Sequence, residues 1–118
     1  MMNVTEENVT VEVFLKSNIS EVDAFGEYNT SDNSLLVKKG SKLSKQLSES
    51  KSFRGKNAII AARKGNVNDG TLLNDVNFGS PSTAANFVTG KSTNGIRSWK
   101  TKDGIPIKKL IAAKKEGE

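Results

Sequence analysis

The sequence predicts an α+β fold, in which a small antiparallel sheet carries two short helices packed on it within a single domain. Three observations predict this fold. Apolar and polar residues alternate near the N-terminus, as they do in half-buried strands. Two later segments are bounded by residues that start or stop helices. Turn-forming dipeptides separate the elements, which suits antiparallel connections. A chain of 118 residues is also long enough for one modest core.

The first third of the chain predicts a three-stranded meander. Valine recurs at every second position at the start of a strand predicted over residues 9–15. Further strands are predicted over residues 23–28 and 35–37, and polar turn clusters separate them. Residues 41–52 are rich in serine and lysine without a clear period, so they predict a loop.

The two helices are predicted mainly from their ends. The second covers residues 81–89 and follows Ser80, whose hydroxyl can accept a hydrogen bond from a free N–H of the first turn. Pro81 suits the first helical position, and Gly90 can end the helix in the left-handed conformation. The first helix is predicted over residues 57–64, because two cations and a glycine close an apolar segment there.

Turn signals dominate the C-terminal part. Asn94-Gly95 predicts a tight turn that leads into an alternating strand over residues 96–101. Asp103-Gly104 predicts a hairpin turn back into a second strand over residues 105–108. Pro106 cannot donate to a ladder, so that returning strand is expected at the edge of the sheet.

These elements define one domain over residues 9–110. Residues 1–8 are predicted to be a disordered or appended leader, and residues 111–118 a frayed C-terminal tail. A last helical turn is predicted over residues 110–113, at the start of that tail. The apolar content is small, so one core is expected. Its predicted members are Ile60, Phe78, Ala84, Val88 and Trp99.

Composition excludes several function classes. The chain has no cysteine and no histidine, which removes disulfides, thiolate metal sites and the commonest general base. Asp69, Asp75 and Asp103 are spread over three predicted turns and do not cluster as metal ligands would. We therefore expect no enzyme, no metal and no cofactor. No apolar run is long enough to span a membrane and no signal segment is visible, which predicts a cytoplasmic protein without a membrane partner.

Charge is distributed unevenly along the chain. Residues 1–30 carry one base and six acids, whereas the remainder carries 17 bases and seven acids. The pattern predicts an anion-attracting surface built from residues after Asn33 that excludes the first strand. The alternative is that lysines simply keep a small protein in solution.

The region around the second helix resembles a known family. Residues 78–100 carry the pattern FxSPSxAAxxVxGxSxNGxxxWK. It resembles a domain of unknown function appended to GIY-YIG nuclease-family proteins, and more distantly modules found beside restriction nucleases and adenine methylases. Residues 36–42 and Asp103-Gly104 fit the same domain, so the resemblance covers about residues 22–110. The sequence departs from the family at Ile96, where a bulky aromatic is common. The resemblance implies a prokaryotic restriction-modification setting and brings no established activity.

Candidate site residues are polar or cationic and are assigned to nucleic-acid binding. Cations would contact phosphates, serines at a helix N-terminus would add N–H and hydroxyl donors, and an asparagine amide could read adenine. The structural alternatives are a solvated surface, a helix cap and a turn, respectively. The predicted set is Lys38, Lys39, Lys42, Ser80, Ser82, Lys91, Asn94, Arg97, Lys100 and Lys102. Trp99 is expected in the core, with a base-stacking surface as the alternative.

Together these features predict a non-enzymatic accessory domain that binds nucleic acid, DNA rather than RNA, through a lysine-rich face. It would position a nuclease or modification enzyme, and sensing of base modification is part of the hypothesis. The alternative is a protein-interaction module of a nuclease-associated protein. The sequence leaves the oligomeric state open.

Overall fold

A four-stranded antiparallel sheet forms the centre of the molecule. The computed structural model describes residues 10–17, 21–45, 47–49 and 55–116. Within them the strands are β1 (Thr10–Ser17), β2 (Val22–Asn29), β3 (Leu35–Val37), β4 (Val67–Asn68), β5 (Thr71–Leu72) and β6 (Val76–Phe78). The helices are α1 (Lys56–Arg63), α2 (Pro81–Thr89), α3 (Gly95–Ser98) and α4 (Ile107–Glu116). The main sheet has the order β1-β2-β3-β6, and β4 and β5 form a separate hairpin.

The predicted α+β class and the meander of the first three strands are confirmed. β1 pairs with β2 along its whole length, and β2 continues into β3 through a turn that closes between Asn29 and Ser34. Residues 1–9, which include the predicted leader and the first residue of the predicted strand, lie outside the described residues. The sequence predicted neither the short strand β4 nor β6. β6 adds the fourth strand of the main sheet. It is three residues long, too short for a period to show, and pairs with β3.

Helix α2 has the predicted ends. The Ser80 hydroxyl accepts a hydrogen bond from the Thr83 N–H, and Pro81 occupies the first turn. Gly90 ends the helix with φ of 74° and donates its N–H to the Asn86 carbonyl. A residue with a Cβ would be strained in that conformation. Helix α1 matches its prediction to within one residue at each end.

One core lies between the sheet and α2. Phe78, Ala84, Val88 and Trp99 belong to it as predicted. Ile60 does not, because 43% of it is exposed, whereas the preceding Ile59 is 2% exposed. Successive residues of an α-helix point about 100° apart, so only one member of the Ile59-Ile60 pair can face the core. Periodicity within an eight-residue helix did not distinguish between them.

The strand predicted over residues 96–101 is wrong. Asn94 is the N-cap of α3 instead of a hairpin-turn residue, and Trp99 follows the helix, donating its N–H to the Gly95 carbonyl. The apolar–polar alternation here is too short to separate a strand from a single helical turn. Only Lys100 pairs as a strand residue would, through two backbone hydrogen bonds with Phe14 of β1.

The turn at Asp103-Gly104 is present, but the returning strand is not. Gly104 has φ of 84° and donates to the Thr101 carbonyl. The return is limited to a single bridge between Lys100 and Pro106, after which α4 begins at Ile107. Proline has no N–H to lose at the start of a helix, which explains why it is tolerated here. Helix α4 reaches Glu116, within the segment predicted as a tail.

Candidate nucleic-acid interface

Three lysines converge on a cleft beside the C-terminal end of α2. The cleft has a volume of about 900 Å³ and lies between the 41–49 loop, the β4–β5 hairpin and the residues that follow α2. Lys42 and Lys45 come from the loop, and Lys91 comes from the end of the helix. We call these three residues and their surroundings the lysine cleft. Lys42 and Lys91 belong to the predicted set, and Lys45 is an addition from the structure.

Backbone hydrogen bonds hold the loop in place on both sides of the cleft. Lys42 bridges Asp23 of β2 on one side and Thr71 of β5 on the other. Ser44 donates its N–H to the Val88 carbonyl at 2.9 Å, and Ser48 donates to the Gly90 carbonyl at 2.7 Å. Residues 41–45 and 47–49 of the serine-rich loop therefore have a defined path, although the sequence shows no period. Residues 46 and 50–52 of the predicted loop lie outside the described residues.

Arg63 is the side chain that joins the elements around the cleft. Its guanidinium donates to the Phe87 carbonyl at 2.6 and 3.0 Å and to the Ser44 carbonyl at 2.7 Å. It also lies over the Phe87 ring, 5.8 Å from the centroid, where a cation is attracted to the ring face. Burial lowers the pKa of the Arg63 guanidinium, which nevertheless stays charged at neutral pH. From the position of Arg63 at the end of α1, the sequence predicted only that its charge would interact favourably with the helix dipole.

Acidic side chains partly neutralise the positive charge of the lysine cleft. Asp69 pairs with Lys45 at 3.3 Å, and Glu21 also lines the wall. Glu21 belongs to the acidic leading segment of the sequence but lies outside the first strand. The β2–loop pairing brings it to the cleft. Lys42 and Lys91 have no carboxylate partner within the described part of the chain.

Lys38 and Lys39 lie between the end of β3 and the start of the loop, and neither lines the lysine cleft. The Lys38 ammonium lies 3.7 Å from Glu27 in an exposed pair, which is a weak interaction. The Lys39 N–H donates to the Asp75 carboxylate at 2.8 Å, whereas the Lys39 side chain is exposed.

At the other end of α2, the two predicted serines are used within the protein. Ser80 caps the helix, and the Ser82 hydroxyl accepts the Gly95 N–H at 3.2 Å. Gly95 lies so close to the first turn that a Cβ built on it would overlap backbone atoms of Pro81 and Ser82. Both hydroxyls thus accept hydrogen bonds from within the chain at the helix N-terminus where the sequence predicted a phosphate contact.

Trp99 is a core residue, as expected. It is fully buried, and its Nε1–H donates to the Pro81 carbonyl at 3.1 Å. The alternative, a stacking surface for a base, does not fit this placement.

The remaining predicted residues surround α3 and the following turn, and all are exposed: Asn94, Arg97, Lys100 and Lys102. The chain reaches them by running back along α2, where the Thr93 N–H donates to the Asn86 side chain. The nine residues of α2 span about 13 Å, so Lys91 and Arg97 lie at opposite ends of the helix. Two of the predicted residues, Lys42 and Lys91, therefore lie in the lysine cleft, and these four form a second group, which we call the α3 end. Lys38, Lys39, Ser80 and Ser82 belong to neither group.

Neither group contains the constellation of a metalloenzyme. No cluster of three or more carboxylates occurs among the described residues at a spacing that could hold a metal ion. None of the described helices is long and apolar enough to cross a membrane. The arrangement presents ammonium and guanidinium groups, which attract anions and can contact phosphate.

Comparison with known proteins assigns the family. The model of a domain of unknown function (DUF4357) matches residues 14–111, which is most of the chain. No match was found among curated proteins or among solved structures. The matched region contains both cationic groups, α2 with its capped ends and the buried Trp99. The chain belongs to this family of domains of unknown function (DUF4357).

Proposed function

We propose that this chain is a non-enzymatic accessory domain that binds nucleic acid, DNA rather than RNA, with the lysine cleft as its main phosphate contact. The observation that carries the proposal is the convergence of Lys42, Lys45 and Lys91, which come from two distant segments of the chain. Because Lys42 and Lys91 lack acidic partners among the described residues, their charges are available to an anion.

The α3 end supplies a second set of phosphate contacts in this proposal. Arg97, Lys100 and Lys102 are exposed and lie within six residues of each other in sequence. Cations at both ends of α2 suit an extended polyanion better than a small anion, which would occupy one end. Asn94 lies beside this group with an exposed side chain and no capping hydrogen bond, so its amide is free to contact a base edge.

The cellular role that we propose follows from the resemblance to domains appended to GIY-YIG nuclease-family proteins. A domain that contacts phosphates without sequence preference would hold such an enzyme on its substrate. Phosphate contacts do not distinguish bases, so we assign the recognition of modified bases to the side chain of Asn94.

A protein-docking role is the second candidate. It is favoured by three exposed apolar side chains, Ile60, Leu73 and Ile105, with exposed fractions of 43, 48 and 40%. Salt separates the two candidates, because phosphate contacts weaken steeply as salt increases whereas an apolar interface does not.

The test is a titration of labelled duplex and single-stranded DNA at several salt concentrations. We expect the triple variant with Lys42, Lys45 and Lys91 replaced by glutamine to bind more weakly at low salt. For duplex DNA, its slope of log affinity against log salt should be smaller by about 0.9 for each lost phosphate contact. The matched control replaces Lys64, Lys108 and Lys109 by glutamine. It changes the net charge equally at exposed positions outside both groups.

The two variants should differ if the cleft is the binding site. Equal losses in both would mean that only net charge matters. No binding of the parent domain to DNA or RNA at low salt would overturn the proposed function.

A further inference from the structure

Two phenylalanines lie side by side across the main sheet, with a lysine at each end of the row. Phe14 of β1 is directly opposite Phe25 of β2. Lys100 pairs with Phe14 on the outer side of β1. Lys38 donates its N–H to the Phe25 carbonyl at 3.0 Å, which continues the β2–β3 register by one residue. We call the residues Lys100, Phe14, Phe25 and Lys38 the aromatic row.

The aromatic row lies on the face of the sheet away from the core. Directly opposed residues of an antiparallel pair project to the same face, and neighbours along a strand project to the other. Val13, Leu15 and Ala24 flank the row along the strands, and all three are buried in the core with α2. Phe14 and Phe25 are each partly exposed. Polar residues usually occupy the solvent face of such a sheet, so two adjacent phenyl groups are a departure from the pattern.

Charge differs between the two sides of the row. On one side the same face carries Lys16, Asp23 and Lys42, in register across β1, β2 and the loop. Lys42 also lines the lysine cleft, so this side continues into it. On the other side the face carries Glu12 and Glu27. A phosphate backbone would therefore be favoured on the side of Lys16 and Lys42, with its bases directed over the phenyl rings.

We propose that the aromatic row is a stacking platform for unpaired bases, so that this domain binds single-stranded DNA more tightly than duplex DNA. The proposal rests on the proposed function. Strand spacing places Lys38 and Lys100 roughly 15 Å apart at the two ends of the row. Every base has a flat face, so stacking on phenyl rings tolerates any sequence. Bases in a duplex are already stacked on each other, so the platform distinguishes single strands from duplexes.

The Lys38–Glu27 pair does not prevent this role. Both side chains are substantially exposed and the charges are 3.7 Å apart, so the pair contributes little and can yield to a phosphate.

The experiment compares a labelled single-stranded thymidine 15-mer with an adenine–thymine duplex of equal length, at one low salt concentration. The variants are Phe14→Leu and Phe25→Leu, which keep an apolar residue in each strand, and the matched control is Ile60→Ala, at an exposed apolar site on α1. We expect each leucine variant to bind the single strand roughly fivefold to a hundredfold more weakly, with duplex binding changed much less. The control should bind as the parent does.

A second variant keeps the proposal testable if the leucine substitutions disturb folding. Phe14→Trp retains an aromatic ring, so it should retain single-strand binding, and its indole emission should be quenched when the thymidine 15-mer binds. The parent, whose Trp99 is buried, should show much less quenching and serves as the reference.

The possible failures are distinguishable. Binding of the single strand by both leucine variants at the parent's affinity would overturn the stacking proposal, as would an unquenched Phe14→Trp variant that binds the oligonucleotide. A parent that binds the duplex but not the single strand would also overturn it and leave the proposed function standing. A parent that binds neither would overturn both.

Discussion

At the scale of single residues, Gly95 and Trp99 fix the short helix α3 against the first turn of α2. Gly95 allows the two backbones to touch, and Trp99 closes the contact from the other end of α3 with its Nε1–H on the Pro81 carbonyl. Both residues are part of the pattern that carries the family resemblance. We attribute their place in this sequence to packing.

We expect Gly95→Ala to destabilise the fold by about 1–3 kcal/mol or more, because its Cβ would overlap the backbone of α2. Backbone atoms cannot move aside as a flexible side chain can. The measurement is urea unfolding. Gly79→Ala is the matched control, since a Cβ built on Gly79 meets no described atom within 4 Å. Equal stability of the two variants would contradict the close approach.

Trp99→Ala should lower the free energy of unfolding by about 3–5 kcal/mol, the usual range for loss of a buried large aromatic. The variant leaves a cavity and removes the indole hydrogen bond to the Pro81 carbonyl. Unfolding must be followed by circular dichroism, because the only tryptophan is removed. A cooperatively folded variant of near-parent stability would place the side chain at the surface.

Asn94 offers a test of base reading that leaves the fold intact. Its exposed side chain makes no capping hydrogen bond, so Asn94→Ala should have little effect on stability. If the amide reads a base edge, the variant should lose preference among DNA sequences or modification states, while the salt slope stays unchanged. A changed slope without a changed preference would assign Asn94 to phosphate contact instead.

At the scale of elements, the end of α2 is the point where three segments meet. The last carbonyls of a helix lack partners within the helix, and two of them here accept hydrogen bonds from Arg63 at the end of α1. Ser44 completes the junction from the loop, through its own carbonyl. The shape of the lysine cleft depends on this junction, because the loop carries Lys42 and Lys45.

Arg63→Lys should therefore be more harmful than a usual conservative change. An ammonium cannot reproduce the planar set of N–H donors of the guanidinium, so at least one buried carbonyl would lose its donor. That loss should lower the free energy of unfolding by about 1–3 kcal/mol. The expected results are a lower urea midpoint and weaker DNA binding. Lys64→Ala is the control, since Lys64 is the exposed neighbour. If Arg63→Lys unfolded at the parent's urea midpoint, the guanidinium hydrogen bonds would have no structural role.

At the scale of the whole molecule, cations lie near both ends of α2. The sheet face with the aromatic row shares Lys42 with one cationic group and Lys100 with the other. The lysine cleft and the α3 end share no residue and are separated by about the length of the helix, 13 Å. Effects at sites this far apart are usually additive.

We expect glutamine at Lys42, Lys45 and Lys91 and glutamine at Arg97, Lys100 and Lys102 to reduce the salt slope independently. The combined variant should then lose the sum of the two reductions, as measured by the same titrations. A combined loss no larger than that of one set would mean that the nucleic acid contacts only one end.

The sequence alone predicted the elements whose ends carry strong local signals. Ser80, Pro81 and Gly90 define α2 because capping depends on the residue at the end and its immediate neighbours. The fold class followed from such local signals together with the alternation of the first strand. Alternation failed for residues 96–101, because the first three of them belong to the single helical turn α3.

Only the tertiary structure decided which cations meet. Lys91 was predicted to act with Arg97, yet the chain folds back along α2 and separates them, while the loop brings Lys42 and Lys45 to Lys91. Pairing of Phe14 with Phe25 and Lys100 likewise depends on strand register. Local sequence specifies backbone conformation through interactions a few residues long. A surface site is instead assembled from segments far apart in the chain, so its composition is settled by how the core packs.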